Sequence, residues 1–411
     1  MELADILTMD DYDFQNKTVL VRVDFNSPLD PKTKKITDDS RIRAHASTIK
    51  ELMDKGAKVV ILAHQGRLGD PDCSTTEQHA KILSDILKRK VEYVDDIFGD
   101  EAENAIKGLK SGEALLLKNV RAWPDETANK SAEEFAKSDL IQNLAPLANV
   151  YVGDGFAVAH RGNGSIVGFP EVMPAVAGRV MERELKALSR VKEAKEKPCI
   201  YVMGGAKAED AAAISEYVLN NNKVDYVLTG GVIGQLFLYA KGVNIGEPNV
   251  KYLEDKKFLE YIPKIKELFK KFNGKILTPE DFAIDVNRKR GEIAVKDLPT
   301  KYSIFDIGAK TVKDYSDLLK DAKIVVVSGP MGVYERDEFM AGTKGVFEAI
   351  AKSKAFSVAG GGNTIEAIDK LGLSNKISYI STGGGALMEF LAGKTLPGVE
   401  ALIKAAKNAQ R

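Results

Sequence analysis

At 411 residues the chain is too long for one hydrophobic core and is sized for two domains. Its apolar and charged fractions, 44% and 29%, are those of a globular protein. Lys plus Arg and Asp plus Glu each number 59, so the net charge is zero and there is no electrostatic footprint for nucleic acid or an anionic membrane.

The N-terminal stretch MELADILTMDDYDF lacks the basic-then-apolar layout of a signal peptide. No apolar run approaches a membrane span. Cys73 and Cys199 show no metal or redox spacing, and Cys199, inside CIYVMGG, reads as a small core residue. The expectation is a cytoplasmic protein with neither nucleic acid nor membrane as partner.

Short β-branched runs recur along the chain. In the first half they are VLVRVDF (19–25), VVILAH (59–64), ALLLKNV (114–120) and VYVGDGF (150–156). In the second half they are CIYVMGG (199–205), VDYVLTGG (224–231), KIVVVSGP (323–330), AFSVAGGG (355–362) and ISYISTGGG (377–385). Runs this continuous fit strands buried on both faces. Amphipathic stretches such as 43–55, 78–90 and 211–220 lie between them. Alternation of strand and helix predicts parallel sheets covered by helices. Nine runs, and a break near residue 180, favour two open doubly wound sheets over a TIM barrel. Near the midpoint, Val180, Met181, Leu185 and Leu188 recur at helical spacing, so 173–190 reads as a helix joining two halves. On periodicity alone it could equally be one more surface helix.

In open α/β sheets, ligands bind beyond the carboxyl ends of the strands. After the first-half runs come Asp24 and Asn26, His64 and Arg67, Arg121, and His160 with Arg161; Arg41 opens the helix before the second run. A lone arginine there is more often a surface ion pair. Four arginines and a histidine at one edge point to a pocket for a small, multiply anionic substrate. After the second-half runs come GGAKAED, TGGVIGQ, SGPMGVYE, AGGGNTIEA and STGGGALMEF. Several glycine loops at one edge favour a nucleotide polyphosphate. None has the Walker A spacing, and no complete G-x-G-x-x-G occurs, which disfavours a dinucleotide-dependent dehydrogenase.

The segments LVRVDFNSPLD, ITDDSRIRA, AHQGR, NVR, DGFAVAHR, GGAKAED, SGPMGVYE, AGGGNT and STGGGALMEFLAGKTLPG follow in order from about residue 17 to the C-terminus. Together they resemble phosphoglycerate kinases, and HQGR and GGAKAED look most like archaeal members. The resemblance implies two Rossmann-like doubly wound domains joined by a hinge helix. Residues 1–172 plus 395–411 would bind phosphoglycerate, 173–190 would be the interdomain helix, and 191–394 would bind nucleotide. It implies reversible phosphoryl transfer between 1,3-bisphosphoglycerate with ADP and 3-phosphoglycerate with ATP, a step of glycolysis and gluconeogenesis. Mg²⁺ would accompany the nucleotide, the domains would close, and the chain would be a monomer or a homodimer.

Carried onto this sequence, the resemblance assigns the acid site to Asp24, Phe25, Asn26, Arg41, His64, Gln65, Gly66, Arg67, Arg121 and Arg161. The nucleotide site falls on Gly205, Lys207, Gly230, Glu335, Gly361, Gly362, Asn363 and Thr364. Arg41, Lys207, Gly384 and Gly385 would attend the phosphoryl group in transit. Metal ligands are not identified. Three positions depart from the family pattern: Ala211 replaces a lysine, Asn363 an aspartate, and Asn163 a histidine. These departures motivate the alternative of a catalytically weak nucleotide- and anion-binding protein on the same fold.

Overall fold

The computed structural model describes residues 5–409. Each of the nine β-branched runs contains a strand. In the first unit, which takes in 5–186 and 395–409, β1 (Thr18–Arg22), β2 (Lys58–Leu62), β3 (Val91–Val94), β4 (Ala114–Leu117), β5 (Val150–Gly153) and β6 (Ala175–Ala177) form one parallel sheet in the order β3-β4-β2-β1-β5-β6. The chain steps from β1 to one side and later returns to the other. The carboxyl ends of β2, β1 and β5 therefore flank a topological switch point.

The Ser40–Asp54 helix covers this sheet with Ile42, Ala46, Ile49, Leu52 and Met53, the i, i+4, i+7 stripe that buries one helical face. The C-terminal helix Pro397–Ala409 belongs to the same unit. Its Val399 and Leu402 are buried, and the Gly398 N–H donates to the Ala159 carbonyl at 2.8 Å.

The second unit, 187–394, holds β7 (Cys199–Met203), β8 (Tyr226–Thr229), β9 (Ile276–Leu277), β10 (Asp281–Val286), β11 (Lys289–Ala294), β12 (Ile304–Ile307), β13 (Ile324–Ser328), β14 (Phe356–Gly360) and β15 (Tyr379–Ser381). Six of them make a parallel sheet in the order β15-β14-β13-β7-β8-β9. The other three form an antiparallel sheet, β11-β10-β12. Its outer strand KRGEIA is mostly half-exposed and polar, so it gave no apolar run in the sequence.

The helix expected over 173–190 begins later and ends later, at Arg179–Glu193. Residues 175–177 instead pair as β6 beside β5, where the apolar run AVA is buried. Gly178 separates the two elements; a Cβ there would lie 2.2 Å from an Asp154 carboxylate oxygen. The helix leaves the first unit after Lys186. Among the described residues, no helix is long and apolar enough to cross a membrane.

Candidate active site

The loops after β1, β2, β4 and β5 bring a set of charged groups together in the first unit. Asp24 is buried just past β1. Its carboxylate accepts from Arg41 Nη1 and, at 3.1 Å, from the Asn26 N–H. Asn26 Oδ1 in turn accepts from the Gly66 N–H at 2.8 Å, tying the β1 and β2 loops together. His64 stands just past β2, with Nε2 4.0 Å from Asp24 Oδ1. Beneath it, Arg22 Nη2 lies 3.3 Å from His64 Nδ1.

Burial and the surrounding guanidiniums of Arg22, Arg121, Arg161 and Arg41 hold the His64 pKa well below its ordinary value. The ring is therefore neutral at pH 7. Arg22 spans the floor: its Nε donates to Ser165 Oγ at 2.7 Å, and that hydroxyl donates to buried Glu126 at 2.6 Å.

Arg121 is the most telling of the cationic side chains. It is buried, its Nη1 donates to the Gly66 carbonyl at 2.6 Å, and its Nε and Nη2 have no hydrogen-bond partner. Burial, then the neighbouring Arg161 and Arg22 charges, pull its pKa down to about 10, so it stays protonated. A buried cation with two unsatisfied donors costs stability unless an anion completes it.

In the second unit, a cavity of about 230 Å³ opens beyond β7, β8 and β13. Gly205 and Gly231 form one wall, Tyr252 and Phe305 supply flat apolar surface, and Glu335 and Asn363 contribute polar groups. The loops after β7 and β13 press backbone on backbone. A Cβ at Gly204 would sit 2.3 Å from the Pro330 carbonyl, so glycine here permits close packing between loops. By contrast, Gly362 and Gly384 have nothing within 4 Å of where a Cβ would be. Gly362 begins the Gly362–Lys370 helix, whose amino end presents free N–H groups.

The expected residues thus fall into distinct groups. Asp24, Asn26, Arg41, His64, Gly66, Arg121 and Arg161 share one neighbourhood. Arg67 lies next to it but is exposed. Phe25 is wholly buried and stacks on His79. Gln65 is wholly buried too: its amide is spent on Ser27 and Asp72, and its oxygen on Ser27 and His79. These two side chains shape the loops rather than face a ligand.

Of the nucleotide set, Gly205, Glu335 and Asn363 line the cavity. Lys207 is exposed at the amino end of the Ala208–Asn220 helix. Gly230 packs on Met331, and Thr364 is buried with its hydroxyl accepting from the Gly329 N–H at 2.7 Å. Sequence reasoning missed Arg22, although a charge inside the apolar run VLVRV was a signal for it. It also missed three residues of the cavity: Gln235, which ends the TGGVIGQ loop, and Tyr252 and Phe305, which lie in no motif. Ala211 lies on the buried side of the Ala208–Asn220 helix. Among the described residues, no group of three or more His, Cys, Asp or Glu could hold a metal ion.

Comparison with known proteins agrees with this geometry. A sequence model described as phosphoglycerate kinase matches residues 9–394. The phosphoglycerate kinase of Methanothermus fervidus is 45% identical over 404 residues, covering 98% of each chain. That of Pyrococcus furiosus is 46% identical over 396 residues, covering 95% of this chain and 96% of the relative. Among solved structures, the Pyrococcus horikoshii enzyme matches with a TM-score of 0.89 at 44% identity, covering 98% of this chain and all of that one. The Coxiella burnetii enzyme matches with a TM-score of 0.82 at 33% identity, covering 97% and 98%. Two parallel six-stranded sheets, a partly buried arginine cluster at the edge of one and a glycine-walled cavity at the edge of the other, together with these likenesses, show that the chain belongs to the phosphoglycerate kinase family.

Proposed function

We propose that this phosphoglycerate kinase activity divides its substrates between the two units. The first unit holds the phosphoglycerate and the second the nucleotide. The observation that carries this reading is Arg121, a buried guanidinium with two donors left for a ligand, set among Arg22, Arg41 and Arg161. Such a group completes its hydrogen bonding on a phosphate or carboxylate. His64, neutral with a proton on Nε2, adds an uncharged donor, and the Asp24 carboxylate can accept from a hydroxyl. That pattern of cations, one neutral donor and one acceptor fits a phosphorylated hydroxy acid.

The chemistry needs no activated side chain. The carboxylate of 3-phosphoglycerate is ionised at pH 7 and is itself the nucleophile. One of its oxygens bonds to the γ-phosphorus of ATP while the bond to the β-bridging oxygen breaks, giving the acyl phosphate and ADP; glycolytic flux runs the reverse. The protein's work is alignment and positive charge around the moving group. Arg41 on the acid side, and Lys207 with the backbone at Gly384 and Gly385 on the nucleotide side, would supply it. Ligands bound by separate units must be brought together, so closure precedes transfer and excludes the water that would hydrolyse an acyl phosphate.

Mg²⁺ enters with the nucleotide. The donor set at the cavity fits an ion held chiefly by phosphate oxygens, because Asn363 offers a neutral amide and the Asp306 carboxylate is already bound by Arg290 and the Gly342 N–H. When bound, the ion neutralises phosphate charge and orients the γ-phosphoryl group. The setting is cytoplasmic.

Calorimetric titration tests the division of labour. Arg121→Met should abolish most 3-phosphoglycerate binding and leave Mg-ATP binding unchanged. Equal loss of both ligands would show that Arg121 serves the fold instead.

A further inference from the structure

One face of the Ser40–Asp54 helix carries Arg41, His45, Thr48 and Glu51, in steps of four, three and three. All four reach toward either the Asp24 loop or the start of the Arg179–Glu193 helix. Arg41 takes the Asp24 carboxylate. His45 is buried, and its Nε2 accepts from the Asp24 N–H at 3.2 Å. That fixes the tautomer: the proton is on Nδ1, which donates to Asp154 Oδ2 at 2.6 Å. The other oxygen of Asp154, itself wholly buried, accepts from the Val180 N–H at 2.8 Å. Thr48 Oγ1 accepts from the Arg179 N–H at 3.2 Å, and Glu51 receives the Arg179 guanidinium at 2.7 and 2.8 Å.

Two N–H groups of the first turn of the Arg179–Glu193 helix are thus satisfied by side chains remote in sequence rather than by a local cap. The Asp154 carboxylate also lies at the positive end of that helix. Gly178 leaves room for it; any side chain there would displace the carboxylate. The result is an unbroken line of hydrogen bonds, all within the first unit, from the Asp24 amide through His45 and Asp154 to Val180.

We propose that His45 and Asp154 are positioning residues that lock the Asp24 loop to the first turn of the helix running out of the first unit. A ligand that pulls on Asp24 or Arg41 then re-aims that turn. The acid site and the connecting helix share one hydrogen-bond line, in which each nitrogen of the His45 ring is committed to one partner and each oxygen of Asp154 receives one of the two links. This rests on the reading of the first unit as the acid site.

The test uses full-length His45→Leu, His45→Gln and Thr48→Val. Glutamine can still accept from Asp24 and donate to Asp154; leucine can do neither. His45→Leu is expected to lower kcat by about tenfold while the equilibrium Kd for 3-phosphoglycerate, measured without nucleotide, moves less than about twofold. His45→Gln should recover most of kcat. The decrease in radius of gyration when both ligands are added should be lost in His45→Leu. Thr48→Val, which cuts the parallel contact and keeps His45, should show the same split more weakly, and it carries the test if His45→Leu fails to fold. The inference is overturned if kcat is unchanged in both, or if it falls only in proportion to weakened 3-phosphoglycerate binding. A wild-type chain that binds no 3-phosphoglycerate would instead bring down the functional reading on which it stands.

Discussion

Arg22 Nη2 lies 3.3 Å from His64 Nδ1, and a guanidinium can only donate, so the imidazole accepts there and keeps its proton on Nε2, the side facing Asp24. The proposed acid site therefore presents a neutral hydrogen-bond donor amid fixed positive charge. Because burial, and then the surrounding arginines, disfavour a charged ring, His64 should not titrate in the working range. The KM for 3-phosphoglycerate should show no His64 ionisation between pH 6 and 8. His64→Gln, which retains a neutral donor, should raise KM by about threefold, and His64→Ala by roughly tenfold or more. Equal effects of the two substitutions in steady-state kinetics would argue against a donor role.

Arg121 should trade stability for binding. Arg121→Met removes a buried cation with unsatisfied donors, so the ligand-free first unit should gain about 1 kcal/mol, or roughly 2–4 °C in the Tm of that unit. The same substitution should weaken 3-phosphoglycerate binding by about 30-fold or more. A melt showing clear destabilisation without ligand would mean that Arg121 is needed by the fold.

Acid should destabilise the protein through buried histidine before its ion-paired carboxylates, such as Glu51 and Asp54, whose pKa values are lowered, respond. Burial lowers the His79 pKa from 6.5 to about 4, and the His64 pKa falls in the same direction. A folded pKa below the unfolded one means that the unfolded chain takes up protons first. The stability is complete above about pH 6.5 and is lost as pH falls toward 4. His79 alone accounts for about 2 kcal/mol by pH 5. Urea midpoints from pH 7 to 5 should decline, and His79→Gln should flatten the slope by one proton. A slope that the substitution leaves untouched would contradict this.

Asn363 lines the cavity with a neutral amide. Asn363→Asp should tighten ATP binding in the presence of Mg²⁺ by about two- to fivefold and weaken it in EDTA, because the added charge attracts the ion and repels bare phosphate. Equal shifts with and without Mg²⁺ would remove Asn363 from the metal's neighbourhood.

Much of this molecule was legible in its residues because parallel strands buried on both faces write continuous apolar runs. β7 (CIYVM) and β13 (IVVVS) could hardly be read otherwise. What escaped was what burial does not announce. β11 is polar and mostly half-exposed, and β6 is three residues inside a stretch whose periodicity ran on into the following helix. At the site, charged residues after strands were visible as a cluster, but their division was not. Gln65 and Phe25 sit within the same motifs as Asn26 and His64, and only packing shows that their side chains turn inward. The His45–Asp154 line is invisible in sequence, since its partners are 109 residues apart.

The most direct measurement is a coupled assay of phosphoryl transfer from Mg-ATP to 3-phosphoglycerate, run on the wild type and on Arg41→Ala. The division of substrates and roles argued above predicts turnover of roughly 1–100 s⁻¹ or higher in the wild type, and loss of most of it in Arg41→Ala with Mg-ATP still bound. A wild type that binds both ligands without turnover would contradict the account and point to Ala211 and Asn363 as the positions to revert. An Arg41→Ala variant as active as the wild type would remove the Asp24–Arg41 pair from catalysis.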